Sequence, residues 1–236
     1  MSGRSYLCLV LVQLASIASM AAPALGDTVA VLGASGNVGK LVALRLAENF
    51  KVRGVVRDAS RVRGFLPPEV DLYEADLRAE DPVLELSEAL KDVSCLVVCT
   101  GTTAFPTQAW SQSGRDGVAV PVLKALVDAR FSVSDAISTL TKDGYNTPQT
   151  VDEEGNLRIL KAWEAAAGAR RKHLVLLSST GVQRRAEMPF PILNACGVLS
   201  AKAAAEAAIQ ADAAAAGYSC ACTAARTGIR TTTGRP

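Results

Sequence analysis

The chain is short of the residues that most often mark an imidazole-based site or a polyanion-binding surface. It has one histidine, His173, in 236 residues. That residue opens an apolar run, where a core or surface role outweighs that of a general base. Aromatic residues are scarce at 5%, so the 49% hydrophobic content rests mostly on Ala, Val and Leu, which suits an α/β layered fold. Charge of one sign is lacking too. Lys and Arg number 25 against 23 Asp and Glu, giving a net charge of +2 and a pI near 8.2. No basic block offers a nucleic-acid footprint, so no nucleic-acid partner is expected. Arg170-Arg171-Lys172 is short, precedes an apolar run and reads as a solvated helix end.

Paired cysteines are also missing. Of six, Cys8 falls in the N-terminal stretch, Cys95 and Cys99 sit on an apparent buried strand, and Cys196 stands alone. Cys220-x-Cys222 has no second ligand pair at metal spacing, and the odd number left without Cys8 argues against a disulfide framework. No metal is expected. Residues 1–26 read as a targeting leader: Arg4, an apolar stretch from Tyr6 to Ala18, then Ala22-Pro23-Ala24 as a small-residue cleavage pattern. This fits a secretory-type signal better than a membrane span, so no transmembrane domain is expected once the leader is removed. In algae with complex plastids such a leader is also the first half of a plastid address. The Ser/Arg-rich second half has no room between Ala24 and Thr28. The plastid and the endomembrane or secretory routes both stay open.

What is present is concentrated between Thr28 and Asp58. A short apolar run, Thr28 to Leu32, leads into Gly33-Ala34-Ser35-Gly36-Asn37-Val38-Gly39, then a helical run to about Asn49 and a second apolar run, Val52 to Val56. Strand, glycine turn, helix and strand in this order open a Rossmann unit. A strand must turn sharply into a helix while a pyrophosphate approaches bare backbone, and side chains at Gly33, Gly36 and Gly39 would block one or the other. The first-turn N–H groups of the helix, around Asn37 and Val38, then face the anion, with Ser35 beside them. A nicotinamide dinucleotide is thus the expected ligand. At the second strand's end Arg57 precedes Asp58, with Arg61 and Arg63 close by. An arginine here suits a 2′-phosphate and an acid suits a 2′-hydroxyl, so NADP is expected over NAD, with help from Arg61 or Arg63. Asp58 is left to take the hydroxyl or to cap the next helix. A third strand over 70–77 brings Asp76 to the same edge, facing the adenine or capping the helix over about 82–90. A fourth strand, Cys95 to Cys99, delivers Thr100 and Gly101 to the crevice where sugar and phosphates pass.

These motifs resemble an atypical short-chain dehydrogenase/reductase of the NAD(P)H-binding, NmrA-like kind. The glycine turn followed by Val55-Val56-Arg57-Asp58 carries that likeness. Cys99 to Pro106, Asn146-Thr147-Pro148, Pro189 to Asn194 and Gly197-Val198-Leu199 are more similar to a plant and algal plastid subgroup. The resemblance covers about residues 28–110 and 143–218. It implies one NAD(P)-binding, Rossmann-like, doubly wound parallel sheet over 27–218. It also implies a role in redox metabolism or photosynthetic assembly. Residues 111–142 interrupt the pattern as an insertion, read either as a lid or surface excursion or as translated non-coding sequence. A helix is expected over 118–127, and 132–141 is polar and weakly patterned.

The chemistry is where the sequence departs from the family. Ser178 and Ser179 end the fifth strand, where a reductase of this fold places the serine that bonds a substrate carbonyl; a capping or phosphate-side loop is the equal alternative. Typical members carry Tyr-x-x-x-Lys on one helix face. The equivalent here is Val198-Leu199-Ser200-Ala201-Lys202, with the lysine kept for the ribose and the tyrosine lost. Glu206, one turn on, is positioned to pair with Lys202. After Tyr218 the stretch 219–236 lacks the Ile and Val of a central strand and is expected to be an irregular tail, with a truncated or altered C-terminus. Three functions stay open: an NADPH-dependent oxidoreductase, a non-catalytic NADP-binding scaffold or redox sensor in plastid assembly, and a nonfunctional product of an imperfect gene model. A further small-molecule or protein partner is left unnamed.

Overall fold

Residues 27–224 are described by a computed structural model. The leader expected over 1–26 and the end of the expected tail, 225–236, lie outside the described residues. Strand β1 (Thr28–Leu32) leads through the glycine turn to helix α1 (Asn37–Ala47) and strand β2 (Lys51–Val56). Strand β3 (Val70–Glu74), helix α2 (Pro82–Leu90) and strand β4 (Cys95–Val98) follow. Helices α3 (Ala119–Asp128) and α4 (Val133–Lys142) form an excursion. A π-helical run, Gln149–Glu154, then opens helix α5 (Gly155–Ala167), which leads to strand β5 (His173–Ser178). The short helix α6 (Phe190–Leu193), helix α7 (Val198–Ala216) and strand β6 (Ser219–Ala224) complete the order.

The six strands form one sheet in the order β3-β2-β1-β4-β5-β6, with every pairing parallel. Parallel strands are buried on both faces, which is why β1 and β4 read as continuous apolar runs without alternation. Side chains still alternate between the two faces. Ala30 and Leu32 of β1 join Leu86, Leu96, Trp163, Leu174 and Ile209 in a core beneath α2, α5 and α7. Val31 joins Ala43, Val52, Val56 and Val70 beneath α1. Among the described residues no helix is long and apolar enough to cross a membrane.

Two stretches differ from expectation. Residues 219–224 are not irregular: they form β6, parallel to β5, with His173 opposite Ser219 and Ser178 opposite Ala224. An edge strand needs only one neighbour, so Ser219-Cys220-Ala221-Cys222 suffices where a central strand would call for Ile and Val. Cys220 and Cys222 pack on the main core. The second difference is the polar stretch after Ser132, which is helix α4. Ser132 caps it by accepting from Asp135 N, and Ala136 and Leu140, one turn apart, face inward. With Trp110, Val118 and Ala125 they form a small core of their own. The excursion leaves and returns at one place, because Asn146 N donates to Trp110 O at 2.7 Å and Gln112 Nε2 to Asp143 O at 2.8 Å.

Arg171 fastens the far side of the sheet. Its guanidinium lies over the rings of Trp163 and Tyr218 at 5.6 and 5.3 Å and pairs with Asp212 at 2.8 Å. Tyr218 Oη donates to the same carboxylate at 2.7 Å. The Arg171 side chain is only 7% exposed, against 26% for Asp212, so removing the arginine takes the charge partner from a half-shielded carboxylate and opens a gap between α5 and α7. Arg171→Ala is therefore expected to destabilise the fold by about 2–3 kcal/mol. Chemical denaturation of the variant beside the parent checks this, and a loss under about 0.5 kcal/mol would contradict the packing described.

Candidate functional site

Neighbouring β1 and β4 send their chains to opposite faces of the sheet, and crevices form at such a switch point. A cavity of about 280 Å³ opens there, walled by the carboxyl ends of β1, β2, β3 and β4. Gly33, Ser35, Gly36, Arg57, Asp76, Thr100 and Gly101, all expected at the site, line it.

The glycine turn gives each of its three glycines a separate task. Gly33 has φ +77°, a conformation that disfavours side chains, and its N–H donates to Val55 O at 3.0 Å. Gly39 is a packing residue: a Cβ there would lie 2.1 Å from Gly33 O. Gly36 meets nothing but Gly33 O, at 3.3 Å, so its lack of a side chain keeps the rim open. Ser35 and Gly36 are exposed at this rim; exposed Asn37, half-buried Val38 and buried Gly39, also expected at the site, do not line the cavity. Helix α1 starts with no side-chain cap and no acid in its first turn. Helix α2, by contrast, is closed by Asp81, which accepts from Val83 N and Leu84 N. The open N–H groups of α1 are thus the ones left for an anion.

Beyond the turn, toward β2 and β3, the cavity edge is cationic. Arg57 is exposed at the rim, and Arg78 joins it from the exit of β3. Asp76 does not cap α2. It accepts from Arg78 N, Nε and Nη2 at 3.0, 3.1 and 2.7 Å, and these bonds hold its carboxyl below the usual carboxylate range. Asp58 does not line the cavity; it accepts from Ser60 Oγ and pairs with Arg61 at 3.6 Å. The second cation at the edge is therefore Arg78, in place of the Arg61 or Arg63 expected from sequence. Arg78 was readable as the only basic residue directly after the third strand's exit. The excursion also reaches this edge, since a Cβ at Gly114 would lie 3.1 Å from Arg57 Nη2.

On the other side, past β4, the wall is small and uncharged. Thr100 Oγ1 is buried without a partner among the described residues, as a group awaiting a ligand would be. Burial pushes the Cys99 thiol up to about 12, so it is a packing group and no nucleophile. Lys202 lies behind Gly101, where a Cβ would come within 3.2 Å of its Nζ. It does not pair with Glu206. Its partner is Asp152, at 2.6 Å, a residue the sequence did not single out. Glu206 instead accepts from Ser178 Oγ, and Ser179 is half-buried with its carbonyl accepting from Val182 N. Neither serine lines the cavity. Val198 is 5% exposed, packed with Val182 and Leu199. His173 lies at the opposite end of β5, with Nδ1 against Ser219 Oγ and its pKa lowered by burial.

Close backbone approach, an uncapped helix start, a cationic edge and an orphaned hydroxyl on one cavity fit a dinucleotide. Gly39→Ala is expected to push α1 off the turn and cost about 1–3 kcal/mol of stability, read by thermal unfolding. Gly36→Asp is expected to keep the fold and lose NADPH binding, because its charge faces the pyrophosphate. Unchanged NADPH titration of Gly36→Asp would contradict this site.

Comparison with solved structures agrees on the fold. A ribose-5-phosphate isomerase from Brucella melitensis 16M is 18% identical, with a TM-score of 0.54 over 82% of this chain and 64% of that one. This chain therefore spans just under two thirds of that protein. A bulky-bulky ketone specific alcohol dehydrogenase from Comamonas testosteroni is 17% identical, with a TM-score of 0.53 over 86% and 76%. A short chain dehydrogenase from Burkholderia cenocepacia J2315, in complex with NADP, is 17% identical, with a TM-score of 0.53 over 84% and 70%. At these identities the likeness is one of fold, shared with the short-chain dehydrogenases. No curated protein matches the chain in sequence. A family defined by NAD(P)H binding matches residues 33–219, from the first glycine of the turn to the first residue of β6, and the chain belongs to that NAD(P)H-binding family.

Proposed function

We propose that the chain binds NADPH across the β1–β4 edge and that it is not a carbonyl reductase of the tyrosine type. The observation that carries the second half is Val198. It is buried in an apolar cluster one helical turn before Lys202, where a phenol would have to stand. A bound nicotinamide supplies a hydride, and the reduced carbonyl oxygen then needs a proton or a strong donor. Valine has none to give, and Ser178 already donates to Glu206. Preference for NADPH over NADH is supported by Arg57 and Arg78 at one edge. It is supported too by Asp58, the acid that would take a ribose 2′-hydroxyl, which does not line the cavity and is engaged with Ser60 and Arg61.

The buried Val198 also favours a second reading, a non-catalytic NADP-responsive scaffold or sensor. Its assignment to plastid assembly rests on the likeness of Cys99 to Pro106 and Pro189 to Asn194 to the plastid subgroup. The leader over 1–26 is proposed to direct the chain there or into the secretory route.

Arg57→Ala is expected to weaken NADPH by about 1–3 kcal/mol, roughly 5- to 150-fold, and to leave NADH nearly unchanged. Parallel fluorescence titrations check this; equal loss for both cofactors would mean that Arg57 does not read the phosphate. The parent chain is expected to oxidise NADPH only slowly over a panel of aldehydes, ketones and quinones. Fast, saturable turnover that persists in both Ser178→Ala and Lys202→Met would reveal another proton route and overturn the chemical half of the proposal.

A further inference from the structure

Asp152 is the one acidic residue fully buried among the described residues. It lies in the π-helical run Gln149–Glu154, a distortion that often accompanies functional sites. Both oxygens are used. Oδ1 accepts from Lys202 Nζ at 2.6 Å, and Oδ2 accepts from Thr102 N at 3.2 Å. One carboxylate thus joins the start of α5, helix α7 and the loop leaving β4. Enclosing a charge so completely is costly, and an apolar pair of similar volume would hold these elements together as well. The arrangement therefore calls for a reason beyond packing.

The reason lies at the cavity wall. Gly101 lines the cavity, and a Cβ on it would come within 3.1 Å of Asp152 Oδ1 and 3.2 Å of Lys202 Nζ. The ion pair stands directly behind the wall at a position with no side chain to screen it. Within the pair the carboxylate is wholly enclosed, and the lysine side chain keeps 14% of its surface exposed. An ammonium has three N–H donors, and Asp152 takes one. Glu206, the other carboxylate within a helical turn on α7, is occupied by Ser178. The place also matters. Arg57 and Arg78 mark the adenosine end on the β2–β3 side of Gly33, so Gly101, at the end of β4, belongs to the nicotinamide half.

We propose that Asp152 is a positioning residue for the nicotinamide half of the site, fixing the Lys202 ammonium and the Thr102 backbone behind Gly101 where the nicotinamide ribose lies. This rests on the NADPH reading above. Asp152 touches no ligand itself and acts through the lysine and the loop.

The test uses the full chain and two ligands, NADPH and 2′,5′-ADP, which carries the adenosine end and its 2′-phosphate but no nicotinamide half. Asp152→Asn keeps the shape and the acceptor for Thr102 N but removes the charge. It is expected to weaken NADPH by about tenfold or more and to leave 2′,5′-ADP within about twofold of the parent. Lys202→Met is expected to show the same split. The double variant is expected to be no weaker than the worse single variant, because both changes break one interaction. Unchanged NADPH affinity in Asp152→Asn would overturn the proposal. So would equal loss of both ligands, the mark of a merely structural role, or additive losses in the double variant. A parent chain that binds 2′,5′-ADP and NADPH equally well would overturn this proposal and leave the adenosine end standing, whereas a parent that binds neither would remove the NADPH reading together with it.

Discussion

Everything at this site depends on how closely helix α1 is pressed against the end of β1. The space between Gly33 O and the α carbon of Gly39 is too small for a methyl group, since a Cβ would sit 2.1 Å from that oxygen. That contact fixes the helix axis relative to the sheet and so keeps the helix start, at Gly36, on the cavity wall. It also explains why the three glycines are not interchangeable. Gly33 makes the turn, Gly39 seats the helix, and Gly36 keeps the entrance open. Parallel pairing then carries β2, β3 and β4 to the same edge, so that residues far apart in sequence end on one wall.

Along that wall the two halves differ in their electrostatics. At the β2–β3 side two guanidinium groups stand near the surface, and one of them saturates the nearby Asp76. At the β4 side the charges lie behind the wall, Lys202 paired with Asp152, and the wall in front of them is Thr100 and Gly101. Such a division suits a ligand with phosphates at one end and a neutral or singly charged ring at the other. On the same side, the helix that carries Lys202 turns Val198 into an apolar cluster.

The glycine turn, the β2 arginine and the small residues after β4 were legible in the sequence because each is local. A strand, a turn and a helix start are written within a few residues of one another. The residues that were missed depend on distance in the chain. Asp152 and Lys202 are fifty positions apart and meet only because α7 crosses the start of α5. Asp76 was legible as an edge residue, but its commitment to Arg78 follows from side-chain reach, which spacing does not report. Residues 219–224 look too poor in Ile and Val for a strand, yet an edge position beside β5 asks little of them. Helix α4 was hidden by its polar face, although Ser132 with Asp135, and Ala136 with Leu140, carried the capping and packing signals. That position 198 holds a valine needed no structure to see; the fold adds that it is buried.

The central claim is that a nicotinamide dinucleotide lies across the carboxyl edge of β1, β2, β3 and β4. Hydrogen–deuterium exchange of the full chain with and without NADPH tests it most directly, because it reports where the backbone is covered. Protection is predicted at three segments: 33–39, 76–78 and 100–102. The excursion around Gly114 should slow with them, since it touches Arg57. Binding with no protection at the glycine turn, or with protection confined to the β5–β6 side, would contradict the account.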